Sequence, residues 1–181
     1  MSSIDRRRLK SQEVIKHAVI ELISEKNFDD ITMQEISDRA NVSRGTIYSH
    51  YIDKFDLLDK LIEEHMSEMQ EMCESAQEMD YIDANQIWFE YIKSNYQFFS
   101  TMLASKGAPY FRTQFIEFLA EAFKNAVKVK FGKNRGLNED IVLQFIMMSF
   151  VGIVEWWIKN KMPYPSYVMA EQVGILLERN L

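Results

Sequence analysis

Three helix starts crowded between residues 32 and 53 constrain this chain more than any bulk property. Thr32 is followed three residues later by Glu35, the reciprocal capping box in which hydroxyl and carboxylate each satisfy an orphan amide. Ile31 and Ile36 stand beside it at staple positions. Ser43 is an N-cap candidate with Val42 and Ile47 in the same places, and Asp53 is another with Ile52 and Leu57. The pattern predicts helices over about 33–40, 44–50 and 54–78. Ala40-Asn41-Val42 leaves room only for a tight turn, and Asn41 tolerates the left-handed backbone such a turn needs. Upstream, Val14, Ile15, Ala18, Val19, Leu22 and Ile23 recur at helical spacing, so a first helix runs from Leu9 to Lys26.

Two short helices joined by a tight turn and backed by longer ones make a helix-turn-helix. The second short helix buries Ile47, with Tyr51 a further inward candidate, and leaves Arg44, Gly45, Thr46, Tyr48, Ser49 and His50 outward. That surface offers donors and no carboxylate before Asp53, which suits a polyanion. Gly45 costs helix stability of about 1 kcal/mol against Ala, so its use is close approach to another backbone. A structural helical hairpin with a polar face is the competing reading. Arg6, Arg7, Arg8 and Lys10 form a basic cluster that suits either a solvated terminus or a phosphate-binding arm.

At these residues the sequence resembles the DNA-binding domain of the TetR family of bacterial transcriptional regulators. The stretch from Ile31 through Ser37-Asp38-Arg39-Ala40-Asn41-Val42-Ser43-Arg44-Gly45-Thr46-Ile47-Tyr48 carries the likeness, and Ser49-His50-Tyr51-Ile52-Asp53-Lys54-Phe55 continues it. The family usually has Gly at the place of Asn41, Ala at that of Ser37 and Phe at that of Tyr51. The resemblance implies that Thr32, Tyr48, His50 and Lys54 touch phosphates. It implies that Ser43, Arg44, Gly45, Thr46 and Ser49 lie nearest the bases, and that the arm at Arg6 to Lys10 contacts DNA.

Residues 1–60 carry 10 Lys+Arg and 11 Asp+Glu, whereas residues 61–181 carry 11 and 16. The acidic remainder is also helical in pattern. Helices are expected over about 83–104, broken by Gly107 and Pro109, over about 110–131 with Val127 near its end, and over about 139–161. Pro163 and Pro165 end the last of these, and Ser166 is expected to cap a final helix to about Arg179. The 139–161 segment is apolar nearly all round, so a second subunit is expected to cover one side. Ser149, Gly152, Trp156, Val173 and Leu176 are the candidate dimer contacts, and the resembled family pairs its last two helices in this way. Most aromatic and Met residues lie beyond residue 60. Trp88, Tyr91, Phe115, Phe118, Phe145 and Met148 are the candidates for a small-molecule effector pocket, against the alternative of plain core. The stretch from Val151 to Asn160 resembles the C-terminal domain of a subgroup that includes a dihydroxyacetone kinase operon activator.

Composition closes other routes. Six Gly and three Pro are too few for the turns of a strand-rich sandwich or barrel. Cys73 is the sole cysteine, so neither a disulfide framework nor a thiolate cluster is expected. The run from Phe145 to Val154 is broken by Ser149 and Gly152 and falls short of the ~18 apolar residues of a membrane span. No apolar segment follows Arg6-Arg7-Arg8, so no secretory signal is read and a cytoplasmic location is expected. No P-loop, dinucleotide fingerprint, Gly-x-Ser-x-Gly or His-Glu-x-x-His occurs, and no catalytic residue, metal ligand or cofactor is assigned. The expectation is an all-α chain in two domains. Residues 1–53 hold the DNA-binding module, with its motif at 32–51, and 54–181 form a helical ligand-binding and dimerisation domain. The expected function is a homodimeric regulator on a palindromic operator, a repressor relieved by ligand. The alternatives are an activator or co-activator controlled by a partner protein, and a helical adaptor that does not bind DNA.

Overall fold

The computed structural model describes residues 3–76, 78–104, 109–124 and 132–181, and among them there is no strand. The order is α1 (Ser3–Glu25), a 3-10 turn (Phe28–Asp30), α2 (Met33–Ala40), α3 (Arg44–Tyr48), α4 (Lys54–Ser75), α5 (Tyr81–Ser94), α6 (Tyr96–Ala104), α7 (Pro109–Lys124), α8 (Glu139–Lys159) and α9 (Ser166–Asn180). Two compact units result. The first holds α1 to α3 and α4 as far as His65; the second holds α4 from Met66, α5, α6, α7 from Tyr110, α8 and α9. The boundary therefore falls twelve residues beyond the expected one. Leu57, Leu58, Leu61 and Ile62 are the cause, since all four are buried.

In the first unit, Ile15, Val19, Leu22 and Ile23 of α1 meet Ile36 of α2 and Ile47 of α3 in one core. The capping box forms as the sequence predicts. Thr32 accepts from the Glu35 amide and Glu35 accepts from the Thr32 amide. Ser43 accepts from the Thr46 amide, and Asp53 from the amides of Phe55 and Asp56. Asn41 takes φ 53° and ψ 45°, the left-handed turn. The third staple does not form. Ile52 is 79% exposed, and Tyr51 takes the inward place instead. The first helix starts at Ser3 rather than Leu9, so Arg6 to Lys10 lie on a helix and not on a frayed arm.

In the second unit, the helix expected over 83–104 is two. Asn95 ends α5, its amide N–H and its side-chain Nδ2 both donating to the Tyr91 carbonyl. Pro109 opens α7, a first-turn place where its missing N–H is harmless. Gly107 and Val127 lie outside the described residues. Ser166 does not cap α9; its hydroxyl donates to Glu90 Oε2 across to α5. Phe98, Phe99, Phe111 and Phe115 cluster with neighbouring ring centroids 5.2–6.3 Å apart. A Cβ on Gly174 of α9 would stand 2.8 Å from Ile82 Cα, so α5 and α9 approach at a distance only Gly permits.

Helix α8 divides its apolar residues between two faces. Val142, Ile146, Phe150, Val154 and Trp157 are buried, while Ile141, Phe145, Met148 and Trp156 are exposed. By length and a mean hydropathy of 1.9, it is the one described helix that would suffice to cross a membrane. The sequence expectation of no such stretch is corrected to that extent. The same helix is packed along its inner face and pairs Glu155 with Arg112 of α7, with Nε–Oε1 at 2.6 Å.

Candidate nucleic-acid interface

The candidate interface is built from α2, α3 and the start of α1, all in the first unit. The turn between α2 and α3 is held by a hydroxyl that the sequence reading treated only as small. Ser37 is buried, and its Oγ donates to the Val42 carbonyl at 2.6 Å. The Val42 amide donates back to the Ser37 carbonyl. This locks α3 against α2 and presents one face of a five-residue helix. Ser43, Arg44, Gly45, Tyr48 and Ser49 are exposed there, and Thr46 is half-exposed beside them.

Charge pairing sharpens the face. In this unit Lys16 pairs with Glu64, Lys26 with Glu35, Arg39 with Glu21 and Glu25, and Lys60 with Asp56. Among the described residues, Arg44 and the α1 cluster Arg6, Arg7, Arg8 and Lys10 have no carboxylate partner, and all five are exposed. Surface cations left unpaired on two adjoining elements are what a phosphate backbone neutralises. The elements adjoin through Ser11, whose Oγ lies 2.8 Å from His50 Nε2. No pattern in the sequence flagged Ser11.

Gly45 has no structural reason to be glycine. Its φ is not positive, and an added Cβ would meet only Ser43 Oγ at 3.7 Å, an ordinary contact. Thr32 is exposed at the α2 start with its hydroxyl already engaged by the capping box.

Two residues expected at phosphates are placed otherwise. Lys54 Nζ donates to the carbonyls of Phe28, Asp29 and Ile31 at 2.6–2.9 Å. It also sits 5.1 and 5.3 Å from the ring centroids of Phe28 and Phe55. All three of its protons are used to pin the α4 start to the 3-10 turn, so it is a structural cation. His50 is half-buried, with Nε2 on Ser11 and Nδ1 buried without a partner. Burial, and then the charge of Arg8, hold its pKa below the ordinary value. Beside it the buried Tyr51 hydroxyl also lacks a partner, and burial pushes its pKa up to about 12.

The effector and dimer candidates scatter. A cavity of about 650 Å³ opens in the second unit, and of the six pocket candidates only Trp88 lines it. Its other rings are Tyr81, Phe123 and Phe150. Phe115 belongs to the buried Phe cluster, Phe118 packs against Trp88, and Tyr91 packs against Phe99. Phe145 and Met148 are exposed on the far face of α8, because one helix cannot send residues five apart from Phe150 to the same side. Of the dimer candidates, Ser149, Gly152, Trp156 and Leu176 are exposed, but Val173 is buried within the chain.

A helix-turn-helix with a carboxylate-free outer face and unpaired cations on two elements defines a DNA-binding regulator. Comparison with known proteins identifies which kind. Residues 15–61 match the model described as bacterial regulatory proteins, tetR family, and residues 84–179 match that described as transcriptional regulator C-terminal region, TetR_C_8. The chain belongs to the TetR family and is a DNA-binding transcriptional regulator. It is 24% identical over 185 residues to the "Probable acrEF/envCD operon repressor" of Escherichia coli K12, covering 90% of this chain and 82% of that protein. It is 40% identical over 50 residues to the "Uncharacterized HTH-type transcriptional regulator YxbF" of Bacillus subtilis, a match spanning 28% of this chain and 13% of that one. A TetR regulator structure from Streptococcus agalactiae superposes with a TM-score of 0.70 at 24% identity, covering 96% of both chains.

Proposed function

We propose that this protein is a ligand-responsive repressor that binds a palindromic operator as a homodimer. The observation carrying the ligand response is the path of α4. Its first turn is pinned by Lys54 in the DNA-binding unit, while Gln70, Cys73 and Glu74 of the same helix line the 650 Å³ cavity. A ligand there changes operator affinity if it binds two positions of α4 unequally. The repressor sign is supported by the operon repressor of Escherichia coli that this chain resembles along most of its length.

The dimer is supported by α8 and α9. Ile141, Phe145, Met148 and Trp156 are exposed at successive three- or four-residue steps, with Gly152 between them and Leu176 exposed on α9. A continuous apolar stripe on a helix calls for burial, and a second copy supplies the matching stripe. Two-fold pairing then sets the recognition helices ~34–36 Å apart, one turn of B-DNA.

The test is fluorescence anisotropy on the DNA upstream of the protein's own gene. Tight binding there as a species of twice 21.4 kDa is expected. Arg44→Ala is expected to relax preference at one base pair per half-site, costing ~1–3 kcal/mol there. A cavity ligand is expected to shift operator affinity roughly 5–150-fold, and operator to weaken ligand binding by the same factor. Equal ligand affinity with and without operator favours control by a partner protein. No DNA binding at all leaves the adaptor reading.

A further inference from the structure

We propose that the cavity of the second unit takes a lipophilic organic cation, of the aromatic or alkyl ammonium or phosphonium class. This rests on the ligand-responsive reading above and names the chemistry of its ligand. The volume of about 650 Å³ is that of a site for a drug-sized molecule.

The floor is aromatic. Trp88 stands edge-on to Phe150 at 6.2 Å between ring centroids, and Phe123 meets Phe150 at 5.7 Å. All three line the cavity, with Leu119 and Leu177. Ring faces attract a cation through their quadrupole and attract an anion not at all. The indole N–H of Trp88, the one strong donor of that floor, is already given to the Cys73 sulfur.

The polar part of the wall points the same way. The described lining contains no Lys, Arg or His, and it contains Glu74 and Glu121. Glu121 Oε2 has Lys124 Nζ at 3.3 Å, which offsets its charge. Among the described residues Glu74 has no cation; it accepts only the Gln70 amide at 3.0 Å. Asn85, 5% exposed, donates its Nδ2 to the Tyr81 carbonyl at 2.6 Å, so its amide oxygen is the end left for a guest. An anion placed here would lose its hydration with no donor in return. A neutral hydrocarbon would fill the rings and strand the amide oxygen and the carboxylate. A lipophilic cation satisfies both parts of the wall.

The test uses tetraphenylphosphonium and tetraphenylborate, which share size and shape and differ in the sign of charge. Each is titrated into the full chain by calorimetry, with Trp fluorescence read in parallel. The phosphonium is expected to bind and to change the emission, with borate at least about tenfold weaker. Glu74→Gln is expected to weaken the phosphonium about two- to fivefold, the range of an exposed charge pair, and to strengthen the borate. Circular dichroism checks that this surface variant keeps its helices. Borate binding as tightly as phosphonium, neither probe binding, or a phosphonium-to-borate ratio unmoved by Glu74→Gln overturns the proposal. Operator anisotropy with phosphonium present separates the two claims. Charge-selective binding with unchanged operator affinity upholds the cation site and sinks the ligand-responsive reading. Operator release by borate alone does the reverse.

Discussion

Gly45→Ala should make the protein more stable and a poorer DNA binder. The residue lies one position inside α3, where its φ is not positive and a Cβ would meet only Ser43 Oγ, at 3.7 Å. No contact has to move to admit the methyl group. Alanine in a helix is favoured over glycine by about 0.5–1 kcal/mol, partly because the unfolded chain loses freedom. The end of a five-residue helix yields the lower part of that range. Urea denaturation at equilibrium should therefore show a higher midpoint with an unchanged slope. On DNA the same methyl stands where backbone and duplex must meet. A misfit of ~1 kcal/mol in each half-site doubles across a dimer and costs more than tenfold in affinity. The assay is anisotropy on the operator at fixed salt, for both proteins. Unchanged or lower stability would refute the packing argument. Higher stability with undiminished operator affinity would refute the reason given for glycine at this position.

Lys54→Met should lower stability by ~1–3 kcal/mol, since three carbonyls lose a charged donor, and should leave the salt slope of operator binding unaltered; a flatter slope at unchanged stability would return Lys54 to the phosphates. Gly152→Leu should leave the monomer fold intact, because nothing lies within 4 Å of the added Cβ, yet shift sedimentation toward monomer; an unshifted dimer places the interface elsewhere. Acid should loosen the α2 start. The Glu35 carboxyl is held at about 2, first by Lys26 and then by Thr32. A depressed carboxylate stabilises fully above its unfolded value and loses that contribution as pH falls through the folded one. Wild type should thus lose this part of its stability between about 4.5 and about 2, and Glu35→Gln should show a correspondingly flatter acid limb by circular dichroism.

The sequence by itself determined the parts governed by neighbours a few residues apart. The capping box at Thr32 and Glu35, the caps at Ser43 and Asp53, and the left-handed turn at Asn41 all form as read. Each depends on a side chain reaching a backbone amide within its own turn, so its spacing is written along the chain. Helical periodicity placed the buried stripe of α1 and the two-sided apolar character of α8 for the same reason. Only the tertiary structure decided what long, flexible or aromatic side chains meet. Lys54 looks like any exposed lysine in one dimension; folding brings it over carbonyls 23–26 residues away. Ser37 reads as a tolerated small residue until its hydroxyl finds Val42. Ile52 and Tyr51 exchange the places that spacing assigned them, because a buried ring competes with a staple for one space. The pocket was the least legible of all. Phe145 and Phe150 are equally apolar in the sequence, and a cavity wall is formed by Trp88, Phe123 and Phe150 from three different helices. Which face of α8 turns toward that wall is set by packing partners distant in the chain, and no local pattern encodes it.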